Sequence, residues 1–255
     1  MNVGSFYLKP TLAIKNSRVI HRSVLLERLV DFEIELGSKF TTQMLPAGYS
    51  LNKDWLSLPR SAHESKNGII LISAEIPLLG IRPRLALLPP FPIQNLSEAD
   101  SFDGLKKFAM SSYAIGIILL RLGHWAIAIA EDGELVVTKT GSRYVKGQHR
   151  KGGQSSNRFR RNREKWIREL FDEAAKIAKS RFSDYPGELD FLALGGDRLI
   201  LGQFMKRITL PNGLAGRVLP NRLSVIRPGR QALEDAVREA WSFRAFDFVG
   251  ESVRD

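Results

Sequence analysis

The sequence predicts a mixed α/β fold, a mixed β-sheet with helices packed on it. Three observations carry the prediction. From Ser97 onward, apolar runs of strand length alternate with segments of helical periodicity. The dipeptide Asp132-Gly133 separates two strand-like runs, as a tight hairpin requires. The long segment 157–181 repeats apolar side chains at the spacing of one helix face.

In chain order, residues 23–36 predict a helix through the spacing of Leu26, Leu29, Val30 and Phe32, with Gly37 as its stop. Residues 39–58 read as strand and loop. The run Gly-Ile-Ile-Leu-Ile-Ser-Ala-Glu-Ile over 68–76 is rich in β-formers. Leu87-Leu-Pro-Pro-Phe-Pro-Ile93 is a connector, because prolines this dense fit neither a helix nor a central strand. A short helix is expected over 103–111. Residues 114–122 are continuously apolar and predict a buried strand, followed by strands over 124–130 and 134–140 joined by the Asp-Gly turn. Residues 141–156 hold four glycines among polar and basic residues and predict a mobile loop.

The 157–181 helix has good capping residues in Ser155, Ser156 and Asn157. Phe159, Trp166, Ile167, Leu170, Phe171, Ala174, Ile177 and Ala178 form its expected buried stripe. Beyond it, Phe191-Leu-Ala-Leu-Gly-Gly196 reads as a strand ending in a tight turn, and Asp197 as the cap of a helix over 199–206. Gly195-Gly196 lacks the spacing of a phosphate-binding loop. A short strand is expected over 215–219 and a C-terminal helix over 229–243, with Leu233, Ala236, Val237 and Ala240 on its inner face. No internal repeat or low-complexity tract is visible.

Composition narrows the function. At 255 residues and 44% hydrophobic content, the chain suits one large domain or two small ones. No apolar run approaches the roughly 20 residues that span a bilayer. The N-terminus shows no basic segment followed by an apolar core, so no signal peptide and a cytoplasmic location are expected. With no cysteine there is no disulfide, thiolate-held zinc or thiol nucleophile, and the four histidines lack metal-ligand spacing. Neither a metal nor any other cofactor is expected, nor any Ser/His/Asp, Cys/His or paired-carboxylate catalysis.

The formal net charge is +11, which points to a polyanionic partner. Nearly all of the excess lies between Lys139 and Arg168, where eleven basic residues face one acid, Glu164. A helix face kept only for solubility would mix signs. This run reads instead as a nucleic-acid surface, whose candidate contacts are Lys146, His149, Arg150, Lys151, Arg158, Arg160, Arg161 and Arg163. Inside it lies the tripeptide Gly152-Gly153-Gln154. Two glycines permit close approach of backbone to a ligand, and a glutamine orients water without carrying charge. Gly-Gly-Gln alone would occur by chance in about one chain in twenty of this length. Its setting, between a hairpin and an arginine-rich helix, makes it informative.

That order of parts resembles the middle, catalytic domain of the eukaryotic and archaeal class I peptide release factors. Ser155-Ser-Asn-Arg-Phe-Arg-Arg-Asn-Arg-Glu164 is more similar still to the release-factor-like tRNA hydrolases of the Vms type, the VLRF family, in their bacterial form. The resemblance is strongest over 114–204. It implies a release-factor middle-domain fold of ribonuclease H-like topology. It also implies a release-factor-like domain over 96–255, preceded by an α/β segment over 1–95 that stands alone or joins the same domain.

The resemblance further implies a peptidyl-tRNA hydrolase that acts on stalled or split ribosomes, in ribosome-associated quality control, without reading a codon. No counterpart of a stop-codon-reading domain is evident. Its partners would be peptidyl-tRNA and large-subunit ribosomal RNA, with no membrane and no small-molecule cofactor. Gln154 would place the attacking water or stabilise charge through its backbone N–H, and Gly152 and Gly153 would allow a conformation that a Cβ blocks. Two alternatives stay open: a Vms-type nuclease cutting near the tRNA 3′-CCA end, and a non-catalytic tRNA- or rRNA-binding protein.

Overall fold

The computed structural model describes residues 14–36, 40–52, 55, 57–76, 80–94, 101–143 and 154–248. Two compact units emerge, one comprising Met1–Ser111 with Ser242–Asp255 and the other Ser112–Trp241. The class is mixed α/β, with the strands distributed over two sheets.

The first unit contains β1 (Ile14–His21), α1 (Arg22–Leu36), β2 (Phe40–Leu45), α2 (Arg60–His63), β3 (Ile69–Ile76), β4 (Gly80–Leu88), α3 (Phe102–Ala109) and, from the far end of the chain, β9 (Ser242–Phe248). These strands form a wholly antiparallel sheet in the order β1-β9-β4-β3-β2. Ile20, Ile70, Ile72, Leu85 and Phe243 meet Leu25 and Leu29 of α1 and Leu105 of α3 on one face. Trp55, Leu58 and Ala62 close over Leu71, Ala86 and Phe246 on the other.

Three strands here are not legible in the sequence. β1 is short of apolar residues. β4 carries Pro83, which lacks the N–H a ladder needs; the register shifts between Ile72 and Ser73, where Ser73 faces Pro83, and this irregularity accommodates the proline. The third is β9, and it corrects the expected helix over 229–243. That helix, α6 (Arg230–Ala240), stops at Trp241. Phe243 and Ala245 then alternate with Ser242 and Arg244, the period of a strand.

The second unit is built on β5 (Ala114–Arg121), β6 (His124–Glu131), β7 (Glu134–Ser142) and β8 (Phe191–Gly196) in the order β7-β6-β5-β8. The first three run antiparallel to their neighbours and β8 runs parallel to β5. This is the expected ribonuclease H-like topology. Asp132 (φ 52°) and Gly133 (φ 91°) make the two-residue turn with both central residues left-handed, as a tight hairpin demands.

Alternation along β5 and β6 sends Ile118, Leu120, Trp125, Ile127 and Ile129 to one face. There they bury Leu170, Phe171, Ala174, Ala178 and Phe182 of α4 (Gln154–Ser183) and Leu201 and Phe204 of α5 (Arg198–Met205). Each buried Leu, Ile or Phe side chain among them contributes about 1.5–3 kcal/mol through burial. Ala126, Ala128 and Ala130 point to the opposite face, and α6 lies against β6 and β7.

Two further expectations are corrected. Residues 215–219 do not form a strand. Pro211–Arg217 is a kinked 3-10 segment in which Asn212 (φ 50°) and Gly213 (φ 68°) turn the chain, and β8 receives isolated bridges from Val218, at Leu192, and from Leu223, at Gly195. The long helix begins at Gln154 rather than 157. Ser155, Ser156 and Asn157 therefore occupy its first turn, where N–H groups need no helical acceptor and short polar residues cost little. Asp197 does cap α5, accepting from the N–H groups of Leu199 and Ile200 at 2.9 and 3.0 Å. No helix among the described residues is long and apolar enough to cross a membrane.

Candidate nucleic-acid interface

β7 delivers the chain to the basic segment. Its last pair is Ser142 with His124, and Arg143 N–H then donates to the carbonyl of Gly123 at 2.9 Å. The chain thus leaves the sheet beside the β5–β6 turn. Gly141 lies against the Trp125 indole, where a Cβ would stand 2.3 Å from Cζ2. The bare backbone lets the end of β7 lie flat on that ring.

The Arg143 side chain crosses to α4. Its Nη2 lies 2.9 Å from Glu169 Oε2 and its Nη1 3.5 Å from Glu173 Oε2. These carboxylates stand four residues apart, hence on one helix face. A single guanidinium therefore ties the strand that leads into the segment to the helix that leads out of it.

Of the expected cationic contacts, those within the described residues lie on α4. Arg158, Arg160 and Arg161 are exposed. Among the described residues Arg160 pairs with Glu164, at 4.0 Å and with both side chains more than half exposed, a contact of little energetic weight. These guanidinium groups remain available to an anion. Arg163 is different. It is half-buried, and its Nε is buried without a hydrogen-bond partner among the described residues; it faces a cleft that also holds Arg121 and Gln203.

Gln154 is the first residue of α4. Its backbone N–H has no carbonyl four residues earlier within the helix, and the aligned peptide dipoles favour negative charge at this end. Of the other expected site residues, Lys146, His149, Arg150, Lys151, Gly152 and Gly153 lie outside the described residues.

The clamp of Arg143 on Glu169 and Glu173 is not visible in the sequence, where Arg143 is one cation among eleven. Two glutamates one turn apart on α4 are its trace in the sequence. The cleft beside Arg163 has no sequence signal, because strand order brings its lining together.

Fold and site together define an α/β protein that presents a strongly cationic helix start beside the exit of an antiparallel hairpin. The family model described as Actinobacteria/chloroflexi VLRF1 release factor matches residues 113–245, and the chain belongs to that family. It is also similar to peptide chain release factor subunit 1 of Aeropyrum pernix, at 26% identity over 208 residues, which is 79% of this chain and 55% of the relative. The corresponding protein of Archaeoglobus fulgidus is 27% identical over 160 residues, 60% of this chain and 39% of the relative. The chain thus spans about half the length, or less, of these curated relatives.

Among solved structures, an archaeal translation termination factor, aRF1, aligns with a TM-score of 0.40 and 19% identity over 84% of this chain and 70% of that one. The Vms1 mitochondrial localization core aligns with a TM-score of 0.40 and 14% identity over 71% and 76%.

Proposed function

We propose that this protein hydrolyses the ester of peptidyl-tRNA on stalled or split ribosomes, independently of a codon, with Gly152-Gly153-Gln154 at the reacting centre. Membership of a release-factor family supports the reading. The observation that carries it is the start of α4 at Gln154, with the exposed Arg158, Arg160 and Arg161 within the next two turns. That arrangement puts an N–H donor and a helix dipole next to the tripeptide, and phosphate-binding charge just behind it.

In the reaction, water attacks the ester carbonyl carbon, the bond to the tRNA 3′ oxygen breaks, and that oxygen takes up a proton. The developing oxyanion needs donors already in place, and the backbone N–H of Gln154 is suited to the task. Gly152 and Gly153 admit the tripeptide to a narrow RNA-walled site. Lys146, His149, Arg150, Lys151 and the α4 arginines neutralise phosphates of the tRNA and of large-subunit ribosomal RNA.

The test uses large-subunit complexes holding a labelled nascent chain on 3′-labelled tRNA, with wild type and Gln154→Ala. Free peptide and an intact CCA end is the expected result, with release reduced on the order of a hundredfold in the variant, which keeps the backbone N–H of residue 154 and loses the side-chain amide that would place the attacking water. Peptide attached to a short 3′ fragment would replace the hydrolase by a nuclease. Salt-sensitive binding without cleavage by wild type would leave an RNA-binding protein.

A further inference from the structure

The second unit contains a cleft of ≈ 510 Å³ to which the proposed chemistry assigns no role. It opens at the carboxyl ends of the parallel pair β5 and β8, between the β5–β6 turn, α4, α5 and the segment around Ile226. Crevices at strand carboxyl ends are where open α/β sheets generally bind ligands, and this volume falls within the ligand-pocket range.

Its lining has two chemistries. Ile167, Leu199, Ile200 and Ile226 supply apolar surface, and two of them stand in the open: Leu199 is 75% and Ile226 91% exposed. Both line the same cleft. The polar groups are Arg121, His124, Arg163, Gln203 and Asp197. Arg121 Nη1 donates to the Ile226 carbonyl at 2.9 Å, which fixes its guanidinium and the neighbouring lip together. Arg163 brings the buried Nε that lacks a partner among the described residues. Asp197 is already engaged as the cap of α5. The cleft therefore presents two guanidinium groups against one committed carboxylate, and favours an anionic ligand that also has an apolar face.

We propose that this cleft binds one unpaired nucleotide of an RNA, its base between Leu199 and Ile226 and its phosphate on Arg121 and Arg163. Bases taken out of a stack are held between aromatic or apolar side chains, with hydrogen-bonding groups at their edges. Gln203 offers both a donor and an acceptor for a base edge. Arg163 follows Arg160 and Arg161 on α4, so an RNA strand on the exposed arginines continues into the cleft. The proposal rests on the reading of that helix start as an RNA surface.

The test compares two short RNA hairpins, one blunt and one with a single-stranded 3′ tail, by fluorescence anisotropy across a salt series. Wild type should prefer the tailed hairpin about tenfold, near the low end of the range that a base stacked on an aromatic ring gives. Leu199→Ala/Ile226→Ala, both exposed and so compatible with folding, should abolish the preference and keep the salt slope. Arg158→Ala/Arg160→Ala/Arg161→Ala should weaken both hairpins and flatten the slope. A preference that survives the aliphatic double variant would overturn the nucleotide site.

Equal binding of both hairpins by wild type, still salt-dependent, would overturn the cleft while leaving the RNA surface standing. Loss of binding by neither arginine nor aliphatic variant would remove both readings. As a second measurement, a photoreactive benzoylphenylalanine replacing Gln203 should crosslink to RNA when irradiated with purified ribosomes. A crosslink to a ribosomal protein instead would make the cleft a peptide site.

Discussion

Replacing Arg143 by methionine separates stability from function. The guanidinium makes two ion pairs with α4, at 2.9 and 3.5 Å, while its side chain is 42% exposed and those of Glu169 and Glu173 are 33% and 39% exposed. Partly exposed pairs contribute about 0.2–1 kcal/mol each, so Arg143→Met should cost about 1 kcal/mol and lower the Tm by about 3 °C. Lys165 stays 3.9 Å from Glu169 and offsets part of the loss. Function should respond more strongly, because Arg143 is the tie between the two chain segments that flank the Gly-Gly-Gln tripeptide, and a reacting group displaced by about 1 Å loses on the order of a hundredfold in rate.

Calorimetry would give the Tm, and labelled peptide release from large-subunit complexes would give kcat and KM separately. The expected pattern is a kcat reduced at least about tenfold, a KM changed by less than about threefold, and partial rescue by Arg143→Lys, which keeps the charge but not the two-pronged geometry. If KM rises as much as kcat falls, Arg143 acts as a phosphate contact. If release is untouched while the Tm falls, the tie has no part in placing the tripeptide. Either result would refute the positioning role.

Two further predictions concern the frame. Gly196 has φ +120°, and a Cβ there would stand 2.1 Å from the carbonyl oxygen of Leu120, across the parallel ladder; Gly196→Ala should cost about 2–4 kcal/mol in urea unfolding, and a loss below about 1 kcal/mol would mean that β8 shifts at no cost. Tyr185 donates to Glu131 Oε1 at 2.7 Å, and its pKa is pushed up to about 12 by burial first, then by that hydrogen bond and the nearby negative charges of Glu131, Asp190 and Asp132. Between pH 10, the phenol's ordinary value, and pH 12, the folded state holds a proton that the unfolded chain has released. The stabilisation is therefore complete below pH 10 and lost as pH rises through 12. Tyr185→Phe should show a shallower decline over that interval than wild type, and identical declines would remove Tyr185 as its source.

How far the sequence was legible tracks where its elements sit. The buried hairpin of the second unit announces itself because β5 and β6 are apolar along both faces and Asp132-Gly133 allows one kind of turn. α4 shows through the spacing of Leu170, Phe171, Ala174 and Ala178. The first unit was opaque because its strands mix signals: β1 is mostly exposed, β4 contains a proline at an irregular register, and β9 follows a helix with no proline or glycine to separate them.

The candidate site divides in the same way. Charge concentrated in one segment is a local property and reads directly. The Arg143 clamp and the cleft join residues tens of positions apart, so only strand order reveals them. The tripeptide itself, apart from the backbone of Gln154, lies outside the described residues.

The construction of α4 explains why one helix carries both the fold and the basic surface. Its fully buried stripe runs from Leu170 to Phe182, which leaves Gln154 about 24 Å along the axis from Leu170 at 1.5 Å per residue. A helix start that far from its anchor would fray if it depended on packing alone. Arg143 bonds Glu169 and Glu173, at the beginning of the buried stripe, and so fixes the helix where its support begins. Half-buried Arg163 and Ile167 form a second step of support along the cleft. Beyond them the helix presents Arg158, Arg160 and Arg161 to solvent. Neighbouring guanidinium groups on a free helix start repel one another, a cost that RNA phosphates remove on binding. The same charges that destabilise the isolated helix start therefore favour its ordered form on RNA, so amide exchange in the first turns of α4 should slow when RNA binds while the Leu170–Phe182 turns stay unchanged.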